Sequence, residues 1–219
     1  MSPQAKAREA ICTVGRSLFE RGYVHSSAGN ISVKLDDGFL ITPTDACLGE
    51  LDPAELSWVS AQGELISGQP PSKTLRLHRA IYDAKPSISC VLHTHSTHLV
   101  ALTLQGVWRP DCVLPPLTSY MVMKAGEIPL IPYCLPGAPD VAELVVAHLQ
   151  VKPFIRGVLL ERLGPMVWGK SPRDASNVLE ELEDTARLWL MAGRATPVLT
   201  AHQVKDLCER FGVVWTTLA

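Results

Sequence analysis

The most chemically loaded stretch of the chain is His93-Thr94-His95-Ser96-Thr97-His98, with three imidazoles inside six residues. It closes SISCVLH, a short apolar run of the type that forms a buried strand. Residues i and i+2 of a strand point to one face, so a strand reaching His95 presents His93 and His95 side by side. Neutral imidazole is a common ligand of zinc and similar divalent ions, and two of them at a strand end suit an open metal site. A single histidine there would read as an ordinary hydrogen-bonded turn residue. His98 lies one turn into the following helix and need not share that face. The same H-x-H spacing occurs in cupins and metallo-β-lactamase-type hydrolases. The hydrolase pattern wants an aspartate just before the third histidine, where this chain has Thr97.

A second constellation is polar. Ser26-Ser27-Ala28-Gly29-Asn30, Thr42-Pro43-Thr44-Asp45 and Pro71-Ser72-Lys73-Thr74 bring hydroxyls, an amide and a helix start. Those are the groups an anionic phosphate needs when no nucleotide-specific loop is present. Each alone is an ordinary turn or cap. Together with H-x-H they point to a phosphorylated small substrate. One further match is rejected: Gly164-Pro-Met-Val-Trp-Gly169-Lys170-Ser171 fits the G-x-x-x-x-G-K-S pattern. A phosphate-cradling loop needs consecutive free N–H groups, whereas Pro165 has none and Met166-Val167-Trp168 favours a strand.

Elements follow from periodicity and turn chemistry. Ala7, Ile11, Val14, Leu18 and Phe19 mark a helix over 4–21 that stops at Gly22. Asp37-Gly38 predicts a hairpin of strands at 30–35 and 39–42. A helix near 53–56, a strand near 57–59 and a hairpin turn at Gln62-Gly63 come next. Leu75, Leu77, His78, Ile81 and Tyr82 mark a helix ending before Pro86. THLVALTLQG is a helix closing at Gly106, residues 117–125 are helical, and IPLIPY is a strand. A helix over 139–150 begins after Pro136 and Pro139. GVLLERLGPMVWG makes two strands about Gly164-Pro165. The last long helix has Ser171 as N-cap, Pro172 as its first residue and Gly193 as its stop. Hairpins interspersed with helices indicate a layered α/β domain rather than a purely parallel doubly wound sheet.

The chain has 219 residues, 47% hydrophobic and 19% charged, which is one domain (1–219) with a sizeable core. A formal net charge of −2 gives no general attraction to nucleic acid or anionic membrane, and favours an oligomer because self-repulsion is small. No apolar run approaches the ~20 residues of a membrane span, and MSPQAKAREAICTVG lacks a signal-peptide core. A cytoplasmic protein is expected. None of the six cysteines forms a C-x-x-C pair, so they read as buried reduced thiols.

SAGNIS at 27–32, ITPTD at 41–45, PPSKTLRLHRAIY at 70–82, VLHTHSTH at 91–98, SYM at 119–121 and LEELEDTARL at 179–188 run in one order over essentially the whole chain. In that set the chain resembles the class II aldolase/adducin-domain family, typified by bacterial fuculose-1-phosphate aldolases. The resemblance implies a three-layer αβα sandwich with a central, largely antiparallel sheet. It also implies a cyclic homotetramer with sites at subunit boundaries, and a divalent metal, zinc foremost and manganese or cobalt as substitutes. Carried over by motif, His93 and His95 match the first two metal ligands. Ser27, Asn30, Thr44 and Ser72 match phosphate-pocket positions, and Tyr120 matches a catalytic tyrosine.

Two positions depart from that pattern. The family's catalytic glutamate is Thr74 here, and its third histidine is Leu163, in LLERLGP. Either a neighbour such as Glu161, a water or a substrate oxygen completes the metal shell, or the ion is held weakly or not at all. Without the glutamate a base is lost and Lys73 remains beside Thr74. That suits a reaction in which CO₂ leaves and an enediolate is protonated, with Lys73 or Tyr120 as donor. The wording is similar to the branch described as 3-oxo-tetronate 4-phosphate decarboxylases, which yield dihydroxyacetone phosphate and CO₂. A sugar-phosphate aldolase or epimerase, and a non-catalytic adducin-like domain, are the alternatives.

Overall fold

The computed structural model describes residues 2–135, 137–193 and 195–217. Helix α1 (Pro3–Glu20) starts where the Ser2 hydroxyl accepts the Ala5 N–H at 3.1 Å, with Pro3 in the first turn. It ends as Gly22 turns left-handed at φ +74°. Strands β1 (Asn30–Leu35) and β2 (Gly38–Ile41) form the hairpin predicted at Asp37-Gly38. Strands β3 (Ser57–Ser60) and β4 (Leu65–Ser67) form the second. The helix expected near 53–56 is absent. A 3-10 turn at Leu48–Glu50 precedes it, and Asp52 instead caps a short turn by accepting the Ala54 N–H at 2.8 Å. Fully buried Leu56 then leads directly into β3.

The rest of the chain alternates helix and strand. It runs α2 (Leu75–Ala84), β5 (Cys90–His93), α3 (Thr97–Gln105), β6 (Leu130–Ile131), α4 (Asp140–Val151), β7 (Gly157–Leu160), β8 (Gly164–Gly169), α5 (Pro172–Ala192) and α6 (Ala201–Phe211). The helix expected over 117–125 is a single π-turn, Met121–Ala125, closed by Gly126 N–H donating to Met121 O at 2.8 Å. Pro136, expected to precede α4, lies outside the described residues. Helix α6 was not anticipated, although Thr200 and Gln203 form a reciprocal capping box at its start.

The sheet order is β4-β3-β2-β1-β5-β8-β7-β6, antiparallel throughout except for the β6–β7 pair. Alternation along the central strands divides the core. Ile31, Leu92 and Val167 pack with α1, α3 and α5, whereas Val91, Trp168 and Val158 pack with α2 and α4. Helices therefore cover both faces, which is the αβα layering the resemblance implies. Each fully buried leucine or isoleucine on these faces contributes about 1.5–3 kcal/mol.

The P-loop-like string is β8 running into a capped helix. The Asp174 carboxylate accepts the Lys170 N–H at 2.9 Å and an Arg156 N–H at 2.6 Å. An acidic side chain thus occupies the helix start where a phosphate would have to sit. All six cysteines are free, but only Cys90 and Cys112 are fully buried; the other four are half-buried. Among the described residues, no helix is long and apolar enough to cross a membrane.

The C-terminal segment is held by one buried carboxylate. Glu127 accepts the N–H groups of Thr216, at 2.6 Å, and of Thr217, and pairs with Lys152 Nζ at 2.9 Å. Burial alone would push its carboxyl up, yet the Thr217 N–H, Lys152 and Thr216 together hold it below the usual range. Replacing Glu127 with Leu strands the Lys152 ammonium and the tail donors, with an expected loss of about 3 kcal/mol in urea unfolding. A loss under about 1 kcal/mol would mean that Lys152 simply rehydrates.

Candidate active site

Backbone hydrogen bonds stitch the three polar segments together. Ser72 N–H donates to Thr42 O at 3.2 Å, Thr44 N–H to Pro70 O at 3.0 Å, and Ile31 N–H to the Thr42 hydroxyl at 3.2 Å. The predicted residues Ser27, Asn30, Thr44, Ser72, Lys73 and Thr74 consequently line one cavity of about 300 Å³, together with His93 and His95. That size suits a small metabolite. The Ser72 and Thr74 hydroxyls lie 3.0 Å apart at the start of α2. Among the described residues, neither the Lys73 side chain nor that of Arg76, one turn further on, makes a hydrogen bond or ion pair, and both line the same cavity. Arg76 was passed over in the sequence; its position three residues after Lys73 was the available signal.

His93 and His95 meet, but not by strand alternation. Strand β5 ends at His93, and the chain turns as the Thr94 and Ser96 hydroxyls pair at 2.6 Å and Ser96 donates to Tyr23 O at 2.8 Å. The turn still leaves the two rings with centroids 5.0 Å apart at 60°. Two glycines make this possible. A Cβ on Gly29 would come within 2.6 Å of His93 O, and one on Gly164 within 2.3 Å of Thr94 O. His98 is turned to the other face, where its ring and its backbone N–H both meet Glu183, at 2.8 and 2.9 Å.

The surroundings of His93 and His95 favour the neutral ring. Burial, then the neighbouring His95, brings His93 down to about 4, and burial, then His25, lowers His95. His93 Nδ1 lies 2.8 Å from Pro165 O, a carbonyl that can only accept, so Nδ1 carries the proton and Nε2 keeps its lone pair. A backbone carbonyl behind a histidine in this way is how ligand imidazoles are oriented. The pair therefore fits a divalent cation as two donors. The third family position does not contribute, because Leu163 lines the cavity there. Glu161 lines it too, but its carboxylate holds the Tyr133 N–H at 2.9 Å. No three His, Cys, Asp or Glu side chains converge on one metal position among the described residues.

Tyr120 is not brought to this cavity. It is 61% exposed and lines a separate groove with Tyr23, Lys124 and Glu181. Sequence reading also missed a buried partner of the site, His78. Marked only as part of a helix face, it reaches Asn30 Oδ1 with Nε2 at 2.7 Å.

This fold and cavity define a class. The class II aldolase and adducin N-terminal domain model matches residues 9–190, and the chain belongs to that family. A 3-oxo-tetronate 4-phosphate decarboxylase from Cupriavidus necator is 60% identical over 92% of this chain and 91% of its own length. A protein of the same name from Escherichia coli K12 is 43% identical over 91% and 94%. The crystal structure of YgbL from Klebsiella pneumoniae, described as "a putative aldolase/epimerase/decarboxylase", superposes with a TM-score of 0.86. It is 44% identical and is matched over 94% of this chain and all of its own.

Two outcomes follow from the electrostatics and the donor set. Burial lowers His78 to about 3 and His93 to about 4, against 6.5 in an unfolded chain. The unfolded state therefore binds protons first. Stability is fully present above about pH 6.5 and is lost progressively as pH falls toward 4. A urea midpoint that stays flat from pH 6.5 to 5 would mean these rings are solvated. Leu163→His should raise cobalt or zinc affinity by about 10²-fold or more, read by equilibrium dialysis or the cobalt visible spectrum. Unchanged affinity would mean another group already fills that position.

Proposed function

We propose that this chain decarboxylates a sugar-acid phosphate, a 3-oxo-tetronate 4-phosphate, releasing CO₂ and dihydroxyacetone phosphate. The observation that carries the reading is the composition of one cavity. Neutral imidazoles stand at one side, hydroxyl and amide donors at another, and two unpartnered cations, Lys73 and Arg76, beside Thr74 where an aldolase would need a base. A substrate with a phosphate and a carboxylate matches two cations and a set of anion donors. The relatives' names point to the same chemistry.

In this reading Ser27, Asn30, Thr44 and Ser72 hold the phosphate. His93 and His95 would hold the divalent ion, zinc by preference for imidazole and manganese or cobalt as substitutes. When bound, that ion draws electron density from the substrate's keto oxygen. The carbon–carbon bond to the carboxylate breaks, CO₂ departs, and the bonding electrons stay on the sugar fragment as an enolate. Lys73 then delivers a proton to the carbon that lost CO₂. We read residues 1–219 as one domain working in the cytoplasm as a homotetramer. Tyr120, exposed on its own groove, would then serve the cavity of a neighbouring copy.

The Glu161 carboxylate in the same cavity supports a second reading, aldol cleavage with Glu161 as base. CO₂ release from 3-oxo-tetronate 4-phosphates, run beside aldol cleavage of pentulose and hexulose phosphates, separates the two. Lys73→Met should lower the decarboxylation rate by about 10²–10⁴-fold, the worth of a positioned proton donor. Normal turnover in that variant would remove Lys73 from the reaction.

A further inference from the structure

We infer that His78 is a positioning residue that fixes the Asn30 amide with its N–H₂ edge toward the cavity, so that Asn30 donates to the substrate's phosphate. The inference rests on the phosphate reading of this cavity given above.

His78 stands on α2, fully buried, with both ring nitrogens engaged. Nε2 lies 2.7 Å from Asn30 Oδ1, and Nδ1 lies 2.7 Å from the Ser32 hydroxyl. Ser32 is in turn 2.7 Å from the Tyr82 hydroxyl, also fully buried. The four groups form one chain of hydrogen bonds, Tyr82–Ser32–His78–Asn30, between α2 and β1. Burial, reinforced by His93, brings His78 down to about 3, so the ring carries a single proton near neutral pH. One nitrogen must donate and the other must accept.

Such a chain can run in two directions, and the far end decides. The Tyr82 hydroxyl has one proton and two acceptors in reach, Ser32 Oγ at 2.7 Å and Ser89 O at 3.5 Å. The Ser89 carbonyl, at the limit of reach, already accepts the Lys34 N–H at 2.8 Å. Tyr82 therefore donates to Ser32. Ser32 passes its own proton to His78 Nδ1, leaving the ring proton on Nε2. That proton can only be given to Asn30 Oδ1. The amide oxygen is used up on the buried side, and the N–H₂ group is what Asn30, 6% exposed, offers to the cavity. Run the other way, the chain would turn an amide carbonyl toward a phosphate, which is repulsive. An amide free to rotate would spend part of its time in that state, and hydrogen bonds to charged groups are the strong ones to lose.

The test is equilibrium binding of inorganic phosphate and of glycerol 3-phosphate, by calorimetry, to the full chain and its variants. His78→Leu should weaken both by about tenfold, the scale of one hydrogen bond to a charged group. His78→Gln should restore binding to within about threefold, because its carbonyl can accept from Ser32 while its amide donates to Asn30. Loss with Leu and rescue with Gln is not expected of a residue that only fills space. In decarboxylation assays the Leu variant should raise KM with kcat little changed. If His78→Leu does not fold in urea-unfolding controls, Tyr82→Phe carries the test, since it keeps the ring and removes only the proton that sets direction. Phosphate binding equal to wild type in His78→Leu or Tyr82→Phe overturns the inference. A wild-type chain that binds neither probe overturns the phosphate reading itself, and this inference with it.

Discussion

The site depends on how closely two backbone segments approach the end of β5. That strand is hydrogen-bonded on both flanks, to β1 and to β8, so its position is fixed from two sides. Beyond His93 the ladder stops, and the loop before β1 and the start of β8 lie against the histidine turn. Gly29 and Gly164 permit this, since any side chain would collide with the carbonyls of His93 and Thr94. Both glycines adopt left-handed φ angles, +85° and +126°. Close approach sets the two imidazoles beside the anion donors without a dedicated binding loop. It also explains why the residues lining the cavity lie at strand ends and helix starts rather than mid-element.

Burial is the second constraint, and it acts on charge. Three imidazoles, His78, His93 and His95, are pushed toward their neutral forms by loss of water and, for each, by a neighbouring imidazole. The positive charge of the cavity is carried by Lys73 and Arg76 at its mouth. Neutral nitrogen donors inside and fixed cations outside is an arrangement that draws an anion in without competing with a metal for the imidazole lone pairs.

Much of this was legible in the chain. Hairpin signals at Asp37-Gly38 and Gln62-Gly63 and the Ser171-Pro172 helix start act through local chemistry and led to the right elements, whereas the histidine pair meets across a turn rather than along a strand. The polar segments were recognised by residue type and lie in one cavity. What escaped is non-local. The Glu127–Lys152 clasp joins residues remote in sequence, and nothing in either stretch names its partner. His78 reads as one more position on a helix face until β1 is placed beside it. The placement of Tyr120 depends on a π-turn that periodicity cannot distinguish from a short helix. Helix α6 was different: its capping box stood in the sequence as Thr200-x-x-Gln203.

Leu163 and Thr74 alter the cavity in the same direction. Against the family pattern the resemblance implies, one stands in place of a histidine and the other in place of a glutamate, and both leave neighbouring positions, Glu161 and Lys73, that carry charge of the opposite kind to each other. With two imidazoles, an ion is held less tightly than by three, and a substrate oxygen gains a coordination position that a third histidine would otherwise occupy. With threonine at 74, no carboxylate stands at the helix start to repel an acidic substrate, and Lys73 meets it unopposed. The two substitutions together move the pocket away from binding a neutral sugar portion and toward binding an acid. Under the proposed function, substrate charge, metal retention and proton delivery would be coupled in this cavity through residues at the start of α2 and the tip of the β7–β8 hairpin.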